Sequence, residues 1–283
     1  MLALLHQAPE AYGVAQTRWT LLGMLRSCPW LRLSTLGGFS QLLLKLGIRR
    51  KRARYYLQSP DPHYAAKVAY LQACWQHVQS DPQRWVLVYL DEFAFERQPR
   101  LASAYESQGH HPALARLSYR SDTQCRGVGA LNALTGQVTS RQRSPITAAV
   151  LTDFYRQLRQ QSADAEVIYV VQDNWPVHVH PNLVAALQPQ QSPFWPRLPD
   201  NWPGYSQGKG QFDRLPIQLV FLPPYAPWLN PIEKLWRWLR QEVFHLHRLS
   251  DAWEHLKQKV LDFMNQFALG SQALLHYVGL LPY

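Results

Sequence analysis

Acidic residues are nearly absent from the first 60 positions of this 283-residue chain, where Glu10 stands alone. Against it stand nine cations: Arg18, Arg26, Arg32, Lys45, Arg49, Arg50, Lys51, Arg52 and Arg54. That segment therefore carries a surplus of eight out of a formal net charge of +10, and the rest of the chain is nearly neutral. A cluster of this kind can be a solvated surface. Here the run 49–54 directly follows a helical pattern, which favours a polyanionic partner instead. Cysteine is scarce as well. Cys28, Cys74 and Cys125 are odd in number and have no paired spacing, which excludes a disulfide framework and a zinc site and leaves reduced core thiols. There is no apolar run of membrane-spanning length. Residues 1–14 lack the basic start and long apolar stretch of a signal peptide, so the expected location is the cytoplasm, in association with the nucleoid. Without a glycine-rich phosphate loop or a Gly-x-Ser-x-Gly elbow, nucleotide hydrolysis and serine hydrolase chemistry are unsupported.

What is present is a globular chain, 47% hydrophobic, long enough for two domains. Residues 17–27 repeat apolar side chains at helical spacing until Cys28-Pro29 breaks the pattern. Ser34-Thr35 can cap, Gly37-Gly38 can turn, and Phe39, Leu42, Leu43 and Leu46 form an apolar face that Gly47 ends. Two short helices and a basic run have the pattern of a helix-turn-helix over residues 1–57. Its candidate DNA contacts are Arg32, Ser40, Gln41, Lys45, Arg49, Arg50, Lys51, Arg52 and Arg54, with Ser40 and Gln41 as base readers. Residues 58–84 read as a proline-bearing linker and a connecting helix at 65–79.

From residue 85 to 283 the texture changes to apolar strands alternating with helices. Strands are expected at 86–95, 124–134, 137–140, 166–172 and 217–222, with a hairpin at Thr135-Gly136. Helices are expected at 147–161, 181–187, 231–247 and 250–267, and residues 97–120 as a long loop. This order implies an α/β fold: a ribonuclease-H-like mixed sheet flanked by helices. Residues 189–216, with six prolines and two tryptophans, read as an insertion, either ordered by its aromatics or a partner, or disordered.

Asp91 and Asp173 each stand at the end of an apolar strand, where an acid is costly unless paired or bound to a cation. Ligands gather at the carboxyl ends of strands in open α/β sheets, so both acids point into one crevice. Glu233 opens the helix after the last strand. Capping by itself would account for it, since Asn230 suits the N-cap and Pro231 the first helical position. Alternatively, the helix start lies beside the same crevice and adds a third carboxylate. Three such acids suit Mg²⁺ or Mn²⁺, two ions per site, and phosphoryl transfer. Glu92 and Glu96 are nearby alternatives, but alternation along the strand sends Asp91 and Glu92 to opposite sides. Asn174, Asn230 and His178 fall near the site, and His178 could touch the phosphate or the leaving group.

The segment 221–236, FLPPYAPWLNPIEKLW, resembles the signature of bacterial insertion-sequence transposases related to mariner. The blocks around Tyr89-Leu90-Asp91-Glu92 and Gln172-Asp173-Asn174 with His178 agree with it in order. The resemblance covers about residues 14–268. It implies a DDE-type enzyme in which Asp91, Asp173 and Glu233 are the catalytic, metal-holding triad. It further implies cleavage of double-stranded DNA at terminal inverted repeats and joining of 3′ ends to target DNA, usually at TA. A homodimer or higher assembly on paired ends is expected, with loop 97–120 in the place of a clamp that reaches the other subunit. Two features depart from the family. The 59 residues between Asp173 and Glu233 exceed the usual spacing, which the insertion explains, and there is room for one helix-turn-helix where relatives often carry two. The competing expectations are a domesticated or truncated DNA-binding derivative, and a ribonuclease-H-like nuclease or resolvase outside transposition.

Overall fold

The computed structural model describes residues 2–51, 58–109, 111–198, 200–202 and 214–282. The chain divides into two compact units, Met1–Tyr56 and Leu57–Tyr283.

In the first unit, helices α1 (Leu2–Leu5), α2 (Leu21–Arg26) and α3 (Leu36–Lys45) are joined by short 3-10 turns. Threonines set both main helix starts: Thr20 Oγ1 accepts from Gly23 N at 3.0 Å, and Thr35 Oγ1 from Gly38 N at 3.1 Å. The turn falls earlier than the glycines suggest. It lies at Pro29–Leu31 and closes on Arg32 in the left-handed region, φ 52°, while Gly37-Gly38 form the first turn of α3. Gly47, φ 71°, ends α3 as expected, with Ile48 N bonding back to Leu43 O. Phe39 and Leu43 are buried, and Arg32, Gln41, Lys45, Arg49, Arg50 and Lys51 are exposed, with Ser40 half-buried. Arg52 and Arg54 lie outside the described residues.

The second unit is built on one sheet in the order β3-β2-β1-β4-β5. Its strands are β1 (Trp85–Glu96), β2 (Gln124–Asn132), β3 (Val138–Gln142), β4 (Val167–Gln172) and β5 (Ile217–Phe221). β1 pairs antiparallel with β2 and parallel with β4, and β5 runs parallel to β4. Alternation divides β1 between two cores. Leu87, Tyr89, Phe93 and Phe95 face α4 (Tyr64–Ser80), α7 (Ile232–Leu239), α8 (Trp253–Asn265) and α9 (Gln272–Val278). Val88 and Leu90 face α5 (Ala148–Gln161) and α6 (Pro181–Ala185). This is the mixed sheet covered on both faces, and Cys28, Cys74 and Cys125 are buried free thiols.

Three local differences from the sequence expectations have physical causes. Asp91 lies within β1 and not at its end; β2 keeps the strand paired to Glu96, close to the expected 86–95, although its parallel pairing with β4 ends at Tyr89. The long helix after β5 opens into a π-helix at Arg240–Phe244 and then ends, because Arg100 bonds to Phe244 O and Leu246 N bonds to Arg100 O. Helix α9 lies beyond the expected elements; Ser271 caps it, and Lys234 Nζ ties its Val278 carbonyl to α7 at 2.6 Å.

Loop 97–120 is closed at its base by Gln98, whose amide pairs with both the N–H and the carbonyl of Ser118. Beyond it Leu101, Tyr105, Leu114, Leu117 and Tyr119 are exposed. The described start of the insertion is ordered along the edge of β5. Gln190 accepts from Leu219 N at 2.8 Å and donates to Ile217 O at 2.9 Å, as a neighbouring strand would. Trp195 adds a ring contact on Phe221. No described helix is long and apolar enough to cross a membrane.

Leu219 is fully buried, so removing its side-chain partner leaves a buried N–H unsatisfied. Gln190→Ala is expected to cost about 1–3 kcal/mol, lowering the thermal midpoint by about 2–4 °C for each kcal/mol. A midpoint equal to wild type in a thermal melt would remove the insertion from the sheet's stability.

Candidate active site

The site forms where the parallel strands stop. β4 ends at Gln172, so Asp173 is the first residue beyond it, and Asp91 lies two positions past the last β1–β4 pair. Leu222 N bonds to Gln172 O at 2.9 Å, keeping the chain that leaves β5 against the same edge before it turns into α7. Asp91, Asp173, Asn174, Asn230 and Glu233 thereby line one cleft of about 390 Å³.

Each acid has its own support. Asp91 faces Gly129 on β2, and Trp236 Nε1 donates to Asp91 Oδ2 at 2.9 Å. The indole fits because position 129 has no side chain: a Cβ there would sit 2.5 Å from the Trp236 ring. Asp173 accepts from Trp175 N at 2.9 Å and faces His178 Nδ1 at 3.2 Å. Glu233 lies in the first turn of α7 with Arg237 four residues on and Arg240 seven, on one helix face.

The helix start is not a capping box. Asn230 turns its amide inward, donating to Leu90 O at 3.2 Å, and no side chain caps α7. Its Oδ1 is buried without a partner. Glu233 is thus released from the capping role and faces the cleft. Asn174 likewise fixes the neighbouring backbone, donating to Leu222 O at 2.7 Å.

Glu92 points to the other face of the sheet, as alternation requires, and Glu96 is exposed at the far end of β1. Glu92 still bears on the site through His178. That ring is fully buried, with Nε2 2.9 Å from Glu92 Oε1 and Nδ1 against Asp173. It does not line the cleft. Both nitrogens are engaged by carboxylates, which ties the ring to Asp173 and Glu92. The three donors lie within 4.8 Å of one another, but the imidazole already fills the position between the acids. Sequence reasoning missed this bridge and the Trp236 indole. The His178 spacing from Asp173 hinted at the first; only the sheet register reveals the second.

Electrostatics divide the acids. Burial pushes Asp91 up to about 8, the charges of Glu233, Glu92 and Asp173 add to it, and the indole bond offsets only part. Glu233 is also raised, first by burial; the charges of Arg240 and Arg237 oppose the rise and that of Asp173 adds to it. Burial works upward on Asp173 too, but the hydrogen bond and charge of His178 outweigh it and hold that carboxyl below its ordinary value. His178 itself is pushed up to about 10, since its two acid partners outweigh the effect of burial. Among the described residues, neither Asp91 nor Glu233 forms an ion pair within 4 Å. Crowded hard oxygen donors with one orphaned amide oxygen beside them fit a divalent cation.

The family described as DDE superfamily endonuclease matches residues 86–257, more than half the chain and all three acids. An insertion element IS630 uncharacterized 39 kDa protein of Shigella sonnei is 23% identical over 264 residues, covering 92% of this chain and 68% of its own length. The Mos1 transposase paired-end complex with left transposon end shares the fold, with a TM-score of 0.60 and 15% identity over 92% of this chain and 73% of that one. The Mos1 mariner paired end complex with Mn gives 0.59 at the same identity and coverage. The complex with Mg gives 0.56 at 14% identity over 95% and 74%. The resemblance to mariner-related insertion-sequence transposases and the ribonuclease-H-like fold are borne out.

Asp91 also makes stability depend on pH. Unfolded, it titrates near about 3.9; folded, at about 8. The folded chain therefore holds the extra proton between these values, a stabilisation complete below the lower one and lost as pH rises through the higher. In chelator, the thermal midpoint is expected to fall between about pH 4 and about pH 8. Asp91→Asn should flatten the fall and raise the alkaline midpoint by about 2–4 °C per kcal/mol relieved. The same fall in the variant would show that another group drives it.

Proposed function

The chain belongs to the DDE superfamily of endonucleases, and on that premise we propose that it is the transposase of a mariner-related insertion element. It cuts double-stranded DNA at the element's terminal repeats and joins the freed 3′ ends to target DNA, at TA dinucleotides. The observation that carries this reading is the convergence of Asp91, Asp173 and Glu233 from three separate elements on one cleft, beside the partnerless Asn230 oxygen. The Mos1 structures support it, being complexes with transposon ends, with Mn and with Mg.

Asp91, Asp173 and Glu233 would hold Mg²⁺ or Mn²⁺, two ions in the full site. When bound, such ions supply charge neutralisation at the phosphodiester and activation of the attacking hydroxyl. The protein's own part is positioning. The Trp236 indole fixes the rotamer of Asp91. His178, braced by Glu92, holds Asp173 ionised and aimed. Asn230 and Asn174 tie α7 and the β4 exit to the backbone of Leu90 and Leu222, which sets the spacing of the acids. Arg237 and Arg240 place positive charge beside Glu233, along the path a DNA backbone would take.

Residues 1–57 supply DNA binding in this reading, through Arg32, Ser40, Gln41 and Lys45 around α3 and the basic run at 49–54. The exposed apolar side chains of loop 97–120 suit contact with a second copy in a dimer or larger assembly.

Two experiments test this. A labelled duplex carrying the element's end is incubated with Mg²⁺, Mn²⁺ or chelator. Metal-dependent strand cleavage is expected, falling at least about 100-fold in Asp173→Ala. Cutting that persists in that variant would sink the triad, and binding without cutting under any metal would favour a derivative that only binds DNA. Separately, neutralising Arg49, Arg50 and Lys51 should flatten the plot of log affinity against log salt by about 0.9 for each phosphate that the variant no longer neutralises. An unchanged slope would place the DNA-binding surface elsewhere.

A further inference from the structure

Three non-glycine residues among those described have positive φ: Arg32, Tyr225 and Leu246. Arg32 ends a 3-10 turn, and Leu246 is pinned by its N–H on Arg100 O. Tyr225, at φ 57°, sits on the rim of the catalytic cleft. The left-handed region is unfavourable for a bulky L-residue, and glycine would make the same turn without that cost. Nor does the side chain repay it by packing, because Tyr225 is 68% exposed. The turn is held from outside: Ser59 Oγ donates to Pro224 O at 2.6 Å, and Trp228 Nε1 donates to Tyr64 OH at 3.1 Å. A fixed backbone thus holds an aromatic face in solvent beside three carboxylates. Such an outlier at a cleft points to a ligand that the ring meets.

We propose that Tyr225 is a base-stacking platform, taking the nucleobase adjoining the phosphodiester that enters the cleft. This rests on the reading of the cleft as a DNA-cutting site. The carboxylates and their cation engage the phosphate, so what projects towards the rim is sugar and base. An exposed tyrosine offers an unpaired base a flat, sequence-tolerant stacking surface. Tyr225 is then a specificity and positioning element. It selects strands whose base at the cut can leave the stack, and it sets the register of the phosphate against Asp91 and Asp173.

The test uses the full chain with Ca²⁺ as the divalent cation and a forked duplex with 2-aminopurine at the single-strand junction, so that the acids hold a cation and no cutting is needed. Wild type and Tyr225→Phe are expected to change the 2-aminopurine fluorescence on binding and to bind alike. Tyr225→Gly should abolish the fluorescence change and weaken binding about tenfold, while unfolding no lower than wild type because glycine accepts the turn. Tyr225→Leu should behave like glycine if the ring face matters and not mere bulk. The proposal is overturned if wild type leaves the fluorescence unchanged, or if the glycine or leucine variant binds and responds as wild type does. A separate failure of metal-dependent cutting, with the stacking response intact, would count against the transposase reading alone.

Discussion

Like charges brought into one cleft repel one another, and three rigid elements of the second unit hold Asp91, Asp173 and Glu233 there. Three carboxylates on flexible side chains would turn apart into solvent. Here each is placed by a different rigid element: Asp91 by a strand paired on both sides, Asp173 by the exit of β4, and Glu233 by the first turn of α7. The repulsion is managed unequally. Asp91 receives a neutral donor, the Trp236 indole, and keeps a high proton affinity. Asp173 receives His178 and loses its proton readily. Each acid therefore has a different charge cost, and a cation would relieve Asp91 most.

The face change along β1 lets one strand serve both tasks. Asp91 belongs to the core side that contains Phe93 and Trp236, and Glu92 to the side that contains Leu90 and Tyr155. A second acid next in sequence would ordinarily add to the repulsion. Turned to the opposite face, it braces the histidine that steadies Asp173, reaching the site around the end of the sheet. Gly129 completes this arrangement, since any side chain opposite Asp91 would displace the indole.

Much of this was legible in the residues. Apolar runs and the Thr135-Gly136 hairpin located the five strands, and Thr35 and Gly47 marked the ends of α3, because those signals are local; α2, expected over 17–27, is shortened to Leu21–Arg26 by the Thr20 cap. The acids were legible from their place beside apolar runs and within the signature 221–236. What escaped depends on interactions between distant residues. Asp91 falls inside β1 because the pairing with β4 stops at Tyr89 while β2 pairs on to Glu96, and the helix after β5 ends early because Arg100 bonds to its last turn. Asn230 had the look of a cap, yet Leu90 O draws its amide into the cleft. Its partnerless oxygen and the left-handed backbone of Tyr225 have no counterpart in composition or periodicity.

The charge layout has a further consequence for how the cleft is filled. A DNA phosphodiester approaching three acids meets repulsion that Arg237 and Arg240 offset only along one edge, beside Glu233. A cation approaching the same acids without DNA gains from them but leaves the outward coordination to water. Each ligand lowers the electrostatic cost of the other, so their affinities are linked, and by thermodynamic reciprocity the factor is the same in both directions. The basic N-terminal segment, within whose first 60 residues most of the net charge lies, would hold DNA by charge alone on the proposed reading. On the proposed reading, the duplex is held by charge concentrated in the first unit, and cutting needs DNA and cation together in the cleft of the second. Holding the duplex therefore need not commit it to cutting, because commitment requires both ligands in the second unit.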